Sequence, residues 1–167
     1  ETDLLKEIQI ESKLLTDFYG TPSKITGAVI LPKSYYRDTT KTYPVVYVFP
    51  GWGGNRFHIV MGDFNQKRYG MSGFGEEKIF VFMDQQCRYG YHVFANSENN
   101  GPRDKSFVNE FIPAFEKKYR VGRHRFLIGQ SSGGWATLWL QVKYPDIFDG
   151  AWAASPDPID FRHFESM

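Results

Sequence analysis

The stretch Arg125-Phe126-Leu127-Ile128-Gly129-Gln130-Ser131-Ser132-Gly133-Gly134-Trp135 decides the fold. Its opening, RFLI, is a short apolar run of strand type. From Gly133 onward Trp135, Leu138, Trp139 and Val142 fall on one helical stripe, which stops before Pro145. Between the two lies Gly129-Gln130-Ser131-Ser132-Gly133, a G-x-S-x-G spacing in a strand–turn–helix context. Small residues two before and two after Ser131 let the chain turn sharply without side-chain collision, and the turn pushes the serine hydroxyl outward. The helix N-terminus behind it offers unpaired N–H groups to a developing negative charge. Ser131 is the candidate nucleophile, and Ser132 supplies a candidate backbone donor. Taking Ser132 as the nucleophile would put Gln130 where the first small residue belongs, which disfavours it. A plain Gly/Ser loop opening an ordinary helix is the competing structural explanation.

Working outward, Val45–Phe49 is a continuous apolar run between Pro44 and Pro50, the pattern of a central strand covered on both faces. Lys78–Asp84, Arg125–Gly129 and Phe148–Ala154 repeat it. Phe107, Val108, Phe111, Ile112 and Phe115 mark one helical face, with Asp104 or Ser106 as N-cap and Pro113 predicting a kink or a broken start. A second helix is expected from Gly133 to Tyr144, and a short one between Arg56 and Gly75. Ile8–Ser12 and Ile25–Leu31 fit antiparallel edge strands. Strands alternating with helices give a three-layer α/β sandwich with a mostly parallel sheet, a single domain over 1–167.

A second glycine-rich turn, Pro50-Gly51-Trp52-Gly53-Gly54-Asn55, directly follows the central strand. Glycines there let backbone N–H groups turn inward, and the N–H of Trp52, beside Gly51, is the candidate second donor to an oxyanion. The turn lacks the Gly-Lys-Ser/Thr ending of a phosphate loop and the G-x-G-x-x-G spacing. Among 167 residues, twenty Lys/Arg stand against nineteen Asp/Glu, a balance that leaves no basic face for nucleic acid. No apolar run reaches the roughly 18 residues of a membrane span. One cysteine, Cys87, excludes an intrachain disulfide, and four scattered histidines show no metal-ligand spacing, so no metal site is expected. Aromatic residues make up 17% of the chain, enough for a thick core or an aromatic-lined cleft.

YPVVYVFPGWGGN at 43–55, NNGP at 99–102, NEFIPAFEKKYRV at 109–121 and the long run from Arg125 to Phe161 occur here in an order that resembles an esterase family of α/β-hydrolases. That family includes esterase D, feruloyl and acetyl-xylan esterases, enterochelin esterases and mycolyltransferases. The resemblance implies a serine carboxylic-ester hydrolase working through an acyl-enzyme, without cofactor. It implies Ser131 as nucleophile, and the backbones of Trp52 and Ser132 as oxyanion hole. Two departures stand beside these positions: Pro50 and Gln130 replace residues that are often His in relatives. Neither of those is the base.

A serine needs a histidine base, itself oriented by an acid, and in this fold both follow the nucleophile in the chain. After Ser131 the acids are Asp146, Asp149, Asp157, Asp160 and Glu165, and the sole histidine is His163. The resembled family places its acid and histidine beyond further strands. The chain is therefore expected to stop before them, as an incomplete domain completed by a further C-terminal segment or a second chain. An exposed edge or apolar patch is then expected where those strands would pack. Asp157, Asp160 and His163 lie close together on one loop with nothing downstream to orient them. Of the earlier histidines, His58 follows the oxyanion loop, His92 sits near the cleft, and His124 opens the nucleophile strand at the far end of the sheet. Asp84 is expected to cap a loop or pair with an Arg such as Arg88, and Arg88, Tyr89, Tyr91 and Phe94 could shape a pocket. Asp104 and Glu110 are expected to fill structural roles.

The expected substrate is a small-molecule or carbohydrate-linked ester, acetyl or feruloyl. The expected location is extracellular or periplasmic, with the cytoplasm as the alternative. A non-catalytic binding protein on the same fold, or an acyltransferase, are the rival functions.

Overall fold

A computed structural model describes residues 4–57 and 77–160. In chain order the elements are β1 (Leu5–Glu11), α1 (Lys13–Tyr19), β2 (Lys24–Ile30), β3 (Tyr43–Phe49) and β4 (Ile79–Met83). A small hairpin of β5 (Gln86–Cys87) and β6 (Gly90–Tyr91) follows. Next comes a helical rod: α2 (Arg103–Ser106), a π-helical turn (Phe107–Phe111) and α3 (Ile112–Lys118). The described elements end with β7 (Val121–Gln130), α4 (Ser132–Lys143) and β8 (Gly150–Ala154).

The main sheet has six strands in the order β1-β2-β4-β3-β7-β8. β4, β3, β7 and β8 run parallel, while β2 joins β4, and β1 joins β2, antiparallel. This is the expected three-layer α/β sandwich with a mostly parallel sheet. Alternate residues of β3 explain why its sequence is apolar throughout. Val45, Tyr47 and Phe49 enter one buried cluster with Phe107, Phe111, Phe115, Trp135 and Leu140. Val46 and Val48 enter another, on the opposite face, with Phe80, Phe82, Ala28 and Ile30. Each such side chain contributes about 1.5–3 kcal/mol through burial.

The aromatic content resolves mainly into core. Phe107 stacks on Phe111 at 5.8 Å and Phe111 on Phe115 at 6.0 Å, a ladder along the helical rod, while Tyr47 meets Phe107 edge-on at 5.2 Å. Pro113 acts differently from expectation. The missing N–H leaves the Asn109 carbonyl without its α-helical donor. The ladder immediately before it widens to the π form, with the Ile112 N–H bonding Phe107 O, and the rod continues without a break.

Neither Asp104 nor Ser106 caps the rod. Pro102 holds the cap position without a side-chain bond, and Asn96 Oδ1 accepts the Asp104 N–H at 3.1 Å. The buried Asp104 carboxylate instead takes Lys143 Nζ at 2.5 Å and Tyr144 Oη at 3.0 Å, tying the rod to the end of α4. Glu110 has the structural role expected of it, accepting from Ser12 Oγ and, at 3.0 Å, from the Leu14 N–H. The N-terminal strand spans Leu5–Glu11 where Ile8–Ser12 was expected, because Ser12 leaves the sheet to cap α1. The expected helix between Arg56 and Gly75 lies almost wholly outside the described residues. β8 is the outer strand of the described sheet, and its Trp152 is 62% exposed. No helix among the described residues is long and apolar enough to cross a membrane.

Candidate active site

β7 ends at Gln130 and α4 begins at Ser132, leaving Ser131 at the turn with φ 54° and ψ −125°. A positive φ in a residue with a side chain costs about 1–3 kcal/mol and persists only where neighbours impose it. Two glycines show how it is imposed. A Cβ on Gly129 would lie 2.0 Å from Gly133 O and 2.5 Å from Thr137 Oγ1. A Cβ on Gly133 would lie 2.3 Å from Phe49 O and 2.4 Å from Pro50 O. The first turn of α4 is thus pressed against the ends of both β7 and β3. Hydrogen bonds clamp the remainder: Ser131 N–H to Ala154 O at 3.0 Å, Trp135 N–H to Ser131 O at 3.0 Å, and Asp157 N–H to Ser131 O at 3.3 Å.

The glycine-rich turn after β3 comes directly alongside. A Cβ on Gly51 would be 3.4 Å from Gln130 O and 3.5 Å from Ser131 Cβ. The turn closes through Gly54 N–H to Gly51 O at 3.0 Å. Trp52 stands at its tip, 59% exposed, with its indole 4.8 Å from the Tyr91 ring. Among the described residues no acceptor takes up the N–H of Trp52 or of Ser132. Arg56 anchors the far side of the turn through Asp84 Oδ2 at 2.5 Å and Glu7 Oε1 at 2.6 Å. The partner of Asp84 is therefore Arg56 and not Arg88, because Arg56 leaves the turn beside the end of β4.

Tyr91, on β6, reaches both loops. Its hydroxyl lies 3.1 Å from Pro50 O and 2.9 Å from Ser132 Oγ, and also meets the Gln85 side-chain amide. Burial pushes its phenol well above the ordinary value of 10, against an opposing pull from the Ser132 bond. The expected pocket cluster divides. Tyr91 and Phe94 turn inward, while Tyr89 is exposed with Arg88 over its ring at 5.7 Å.

Ser131 Oγ donates to Asp157 Oδ1 at 2.9 Å. Asp157 is the acid expected to have nothing downstream to orient it. The chain after β8 does orient it, since the Asp157 N–H bonds Ser131 O. His92 is buried, accepts the Phe94 N–H on Nδ1 at 3.3 Å, and packs against the Phe94 ring. Burial first, and the Arg103 charge second, hold its imidazole well below the ordinary 6.5. His124 pairs with Asp149 at 3.1 Å early in β7, at the end of the sheet away from Ser131, as expected. Asp160 donates its N–H to Pro158 O at 3.1 Å. His58, His163 and Glu165 lie outside the described residues. Among those described, no imidazole hydrogen-bonds Ser131 and no group of His, Cys, Asp and Glu could hold a metal ion.

Ser131, Ser132 and Trp52 are thus brought to one place, at the C-terminal ends of the parallel strands. Tyr91, expected only as a pocket residue, Asp157, expected to lack support, and Gln85, which the sequence did not single out, join them. The arrangement offers a hydroxyl on a strained turn, a carboxylate accepting its proton, and two backbone N–H groups from facing loops.

The family model described as "Putative esterase" matches residues 20–160. No curated protein matches the chain. Among solved structures, a ferulic acid esterase is 25% identical, with a TM-score of 0.73 over 91% of this chain and 60% of its own. A ferulic acid esterase from the anaerobic fungus Anaeromyces mucronatus is 23% identical, with a TM-score of 0.65 over 92% of this chain and 59% of its own. An S-formylglutathione hydrolase from Agrobacterium tumefaciens is 18% identical, with a TM-score of 0.63 over 90% of this chain and 58% of its own. The chain spans about 60% of the length of the structures it matches. With that family matched across nearly its whole described length, the chain belongs to the esterase family of α/β-hydrolases.

Proposed function

We propose that the protein is a serine carboxylic-ester hydrolase, acting through an acyl-enzyme on carbohydrate-linked acetyl or feruloyl esters. The observation that carries this reading is Ser131 at φ 54° between β7 and α4, flanked by Gly129 and Gly133, at each of which an added Cβ would collide with main-chain atoms. Ser131 Oγ attacks the ester carbonyl carbon, and its proton passes to a general base. The tetrahedral oxyanion sits between the N–H groups of Trp52 and Ser132. The C–O bond to the alcohol breaks, and the base returns the proton to the leaving oxygen. Water then attacks the acyl-enzyme by the same route, releasing the acid and restoring Ser131.

His92 is not that base in this reading: it is buried and already accepts a backbone N–H. His124 is not either, being paired with Asp149 at the other end of the sheet. The substrate class draws support from the ferulic acid esterases among the similar structures and from the exposed Trp52 on the turn beside Ser131. One observation favours a second reading, a non-catalytic binding protein. The Ser131 hydroxyl bonds a carboxylate, Asp157, which is a far weaker base than an imidazole.

A panel of acetyl, butyryl and feruloyl esters, offered to the protein and to Ser131→Ala, separates these. Hydrolysis of acetyl or feruloyl carbohydrate esters ahead of butyryl esters, falling at least about 10³-fold in the variant, is the expected result. Turnover that is equal in the two proteins contradicts the role of Ser131. Flat rates across the panel contradict the substrate class.

A further inference from the structure

The two candidate oxyanion donors belong to different segments: Trp52 to the turn after β3, Ser132 to the first turn of α4. Both must lie about 2.7–3.1 Å from one oxygen, which requires their spacing to be held within roughly 0.5 Å. Packing of Gly133 against the Phe49 and Pro50 carbonyls sets how closely the segments approach. Packing alone does not stop them from sliding or separating; a polar bridge does.

The geometry points to the Tyr91 hydroxyl as the residue that positions both donors, an inference that rests on the ester-hydrolase reading of this site. Tyr91 Oη is 3.1 Å from Pro50 O, in the turn that carries Trp52, and 2.9 Å from the side chain of Ser132 itself. Its ring lies against the Trp52 indole at 4.8 Å, so the same residue touches the turn at two points.

Tyr91 is itself fixed from a third direction. The hairpin pairs it with Gln86, the His92 N–H bonds Gln85 O at 2.9 Å, and Asn100 Nδ2 donates to Tyr91 O at 3.2 Å. The hydroxyl is therefore placed independently of either loop that it joins.

Proton counting strengthens the bridge. A phenol has one proton, and the Pro50 carbonyl can only accept. Gln85 is fully buried beside the hydroxyl, and its Nε2 has no partner. Gln85 Oε1 is the amide atom that meets Tyr91 Oη; turning the amide over, so that Nε2 donates there instead, sends the phenolic proton to Pro50 O, and Ser132 Oγ donates to the phenol oxygen. In that arrangement every hydrogen bond has one donor and one acceptor. The high phenol pKa keeps the bridging proton in place at neutral pH. The Ser132 side chain thereby acquires a purpose beside that of its backbone: it ties the helix start to the turn.

The test uses the full chain. Tyr91→Phe keeps the ring against Trp52 and removes only the hydroxyl. Its kcat on the preferred ester should fall about tenfold with KM within about twofold, because donor spacing matters most in the transition state. Ser132→Ala, which keeps the backbone donor and cuts the same bridge, should lose a similar factor. The double variant should lose no more than the worse single one. Wild-type kcat in either single variant, or losses that multiply in the double, would overturn the bridge. So would a rise in KM with kcat unchanged. Melting temperatures identify a variant that fails to fold, in which case the other single variant decides on the same kcat and KM criteria. Failure of the underlying reading looks different, because wild-type protein then shows no Ser131-dependent hydrolysis at all, and both claims fall together.

Discussion

Replacing Gly133 by alanine would set a methyl carbon 2.3 Å from one carbonyl oxygen and 2.4 Å from another, both belonging to the main chain at the end of β3. Backbone cannot swing aside as a long side chain can, so α4 would have to move off the sheet. Gly133→Ala should destabilise the fold by about 3 kcal/mol or more, read from urea unfolding midpoints. A loss below about 1 kcal/mol would mean that the turn is looser than its geometry states. At this scale the sequence was informative where chemistry is local. Gly129, Ser131 and Gly133 lie within one turn, and their spacing alone dictates the reversal. Contacts between distant positions left no such mark. Tyr91 meets Ser132 across 41 positions and Asp157 meets Ser131 across 26, and no spacing rule relates residues that only the folded sheet brings together.

Element by element, length decided what could be read. The apolar strand β3 announces itself, being long enough for its burial pattern to show, whereas the stripe expected along α4 holds only in part: Trp135 is buried, but Leu140 takes the inner face and Val142 is exposed. Helix α1, at seven residues, is too short for periodicity, yet its ends are well marked. Ser12 accepts the Leu15 N–H at 3.1 Å at one end, and Gly20 takes φ 68° at the other, its N–H bonding Thr16 O. Ser12 also donates to Glu110, so it joins α1 to the π-helical turn. Ser12→Ala should therefore cost more than a simple cap, about 2 kcal/mol in chemical denaturation. A cost of a few tenths would show that the contact with Glu110 contributes nothing. Pro113 is the element whose reading was half right: its position correctly foretold disturbance of the helix, and the rod absorbs it as a π turn.

Across the whole molecule, the parallel strands direct the two glycine-rich turns to the same edge of the sheet, and the Phe-rich rod fills the space beneath them. Buried among these aromatics, His92 makes stability depend on pH. Its folded pKa lies below the unfolded 6.5, so the unfolded chain binds the extra proton first. The stability it permits is complete above about pH 6.5 and declines as pH falls from there toward the folded value. Denaturant midpoints measured from pH 7.5 to 5 should fall in the wild type and fall less steeply in His92→Gln; parallel slopes would assign the acid loss to other groups. Trp152 on the outer strand carries a smaller expectation. Exposed as it is, Trp152→Ser should change stability by no more than about 0.5 kcal/mol.

On the proposed function Ser131 is a nucleophile held by its turn between two oxyanion donors. Labelling the full chain with a fluorophosphonate, followed by peptide mass spectrometry, puts that role to the test. One phosphonylated residue is expected, Ser131, with labelling abolished in Ser131→Ala and retained in His92→Gln. Modification at any other residue, or labelling that survives Ser131→Ala, would contradict it.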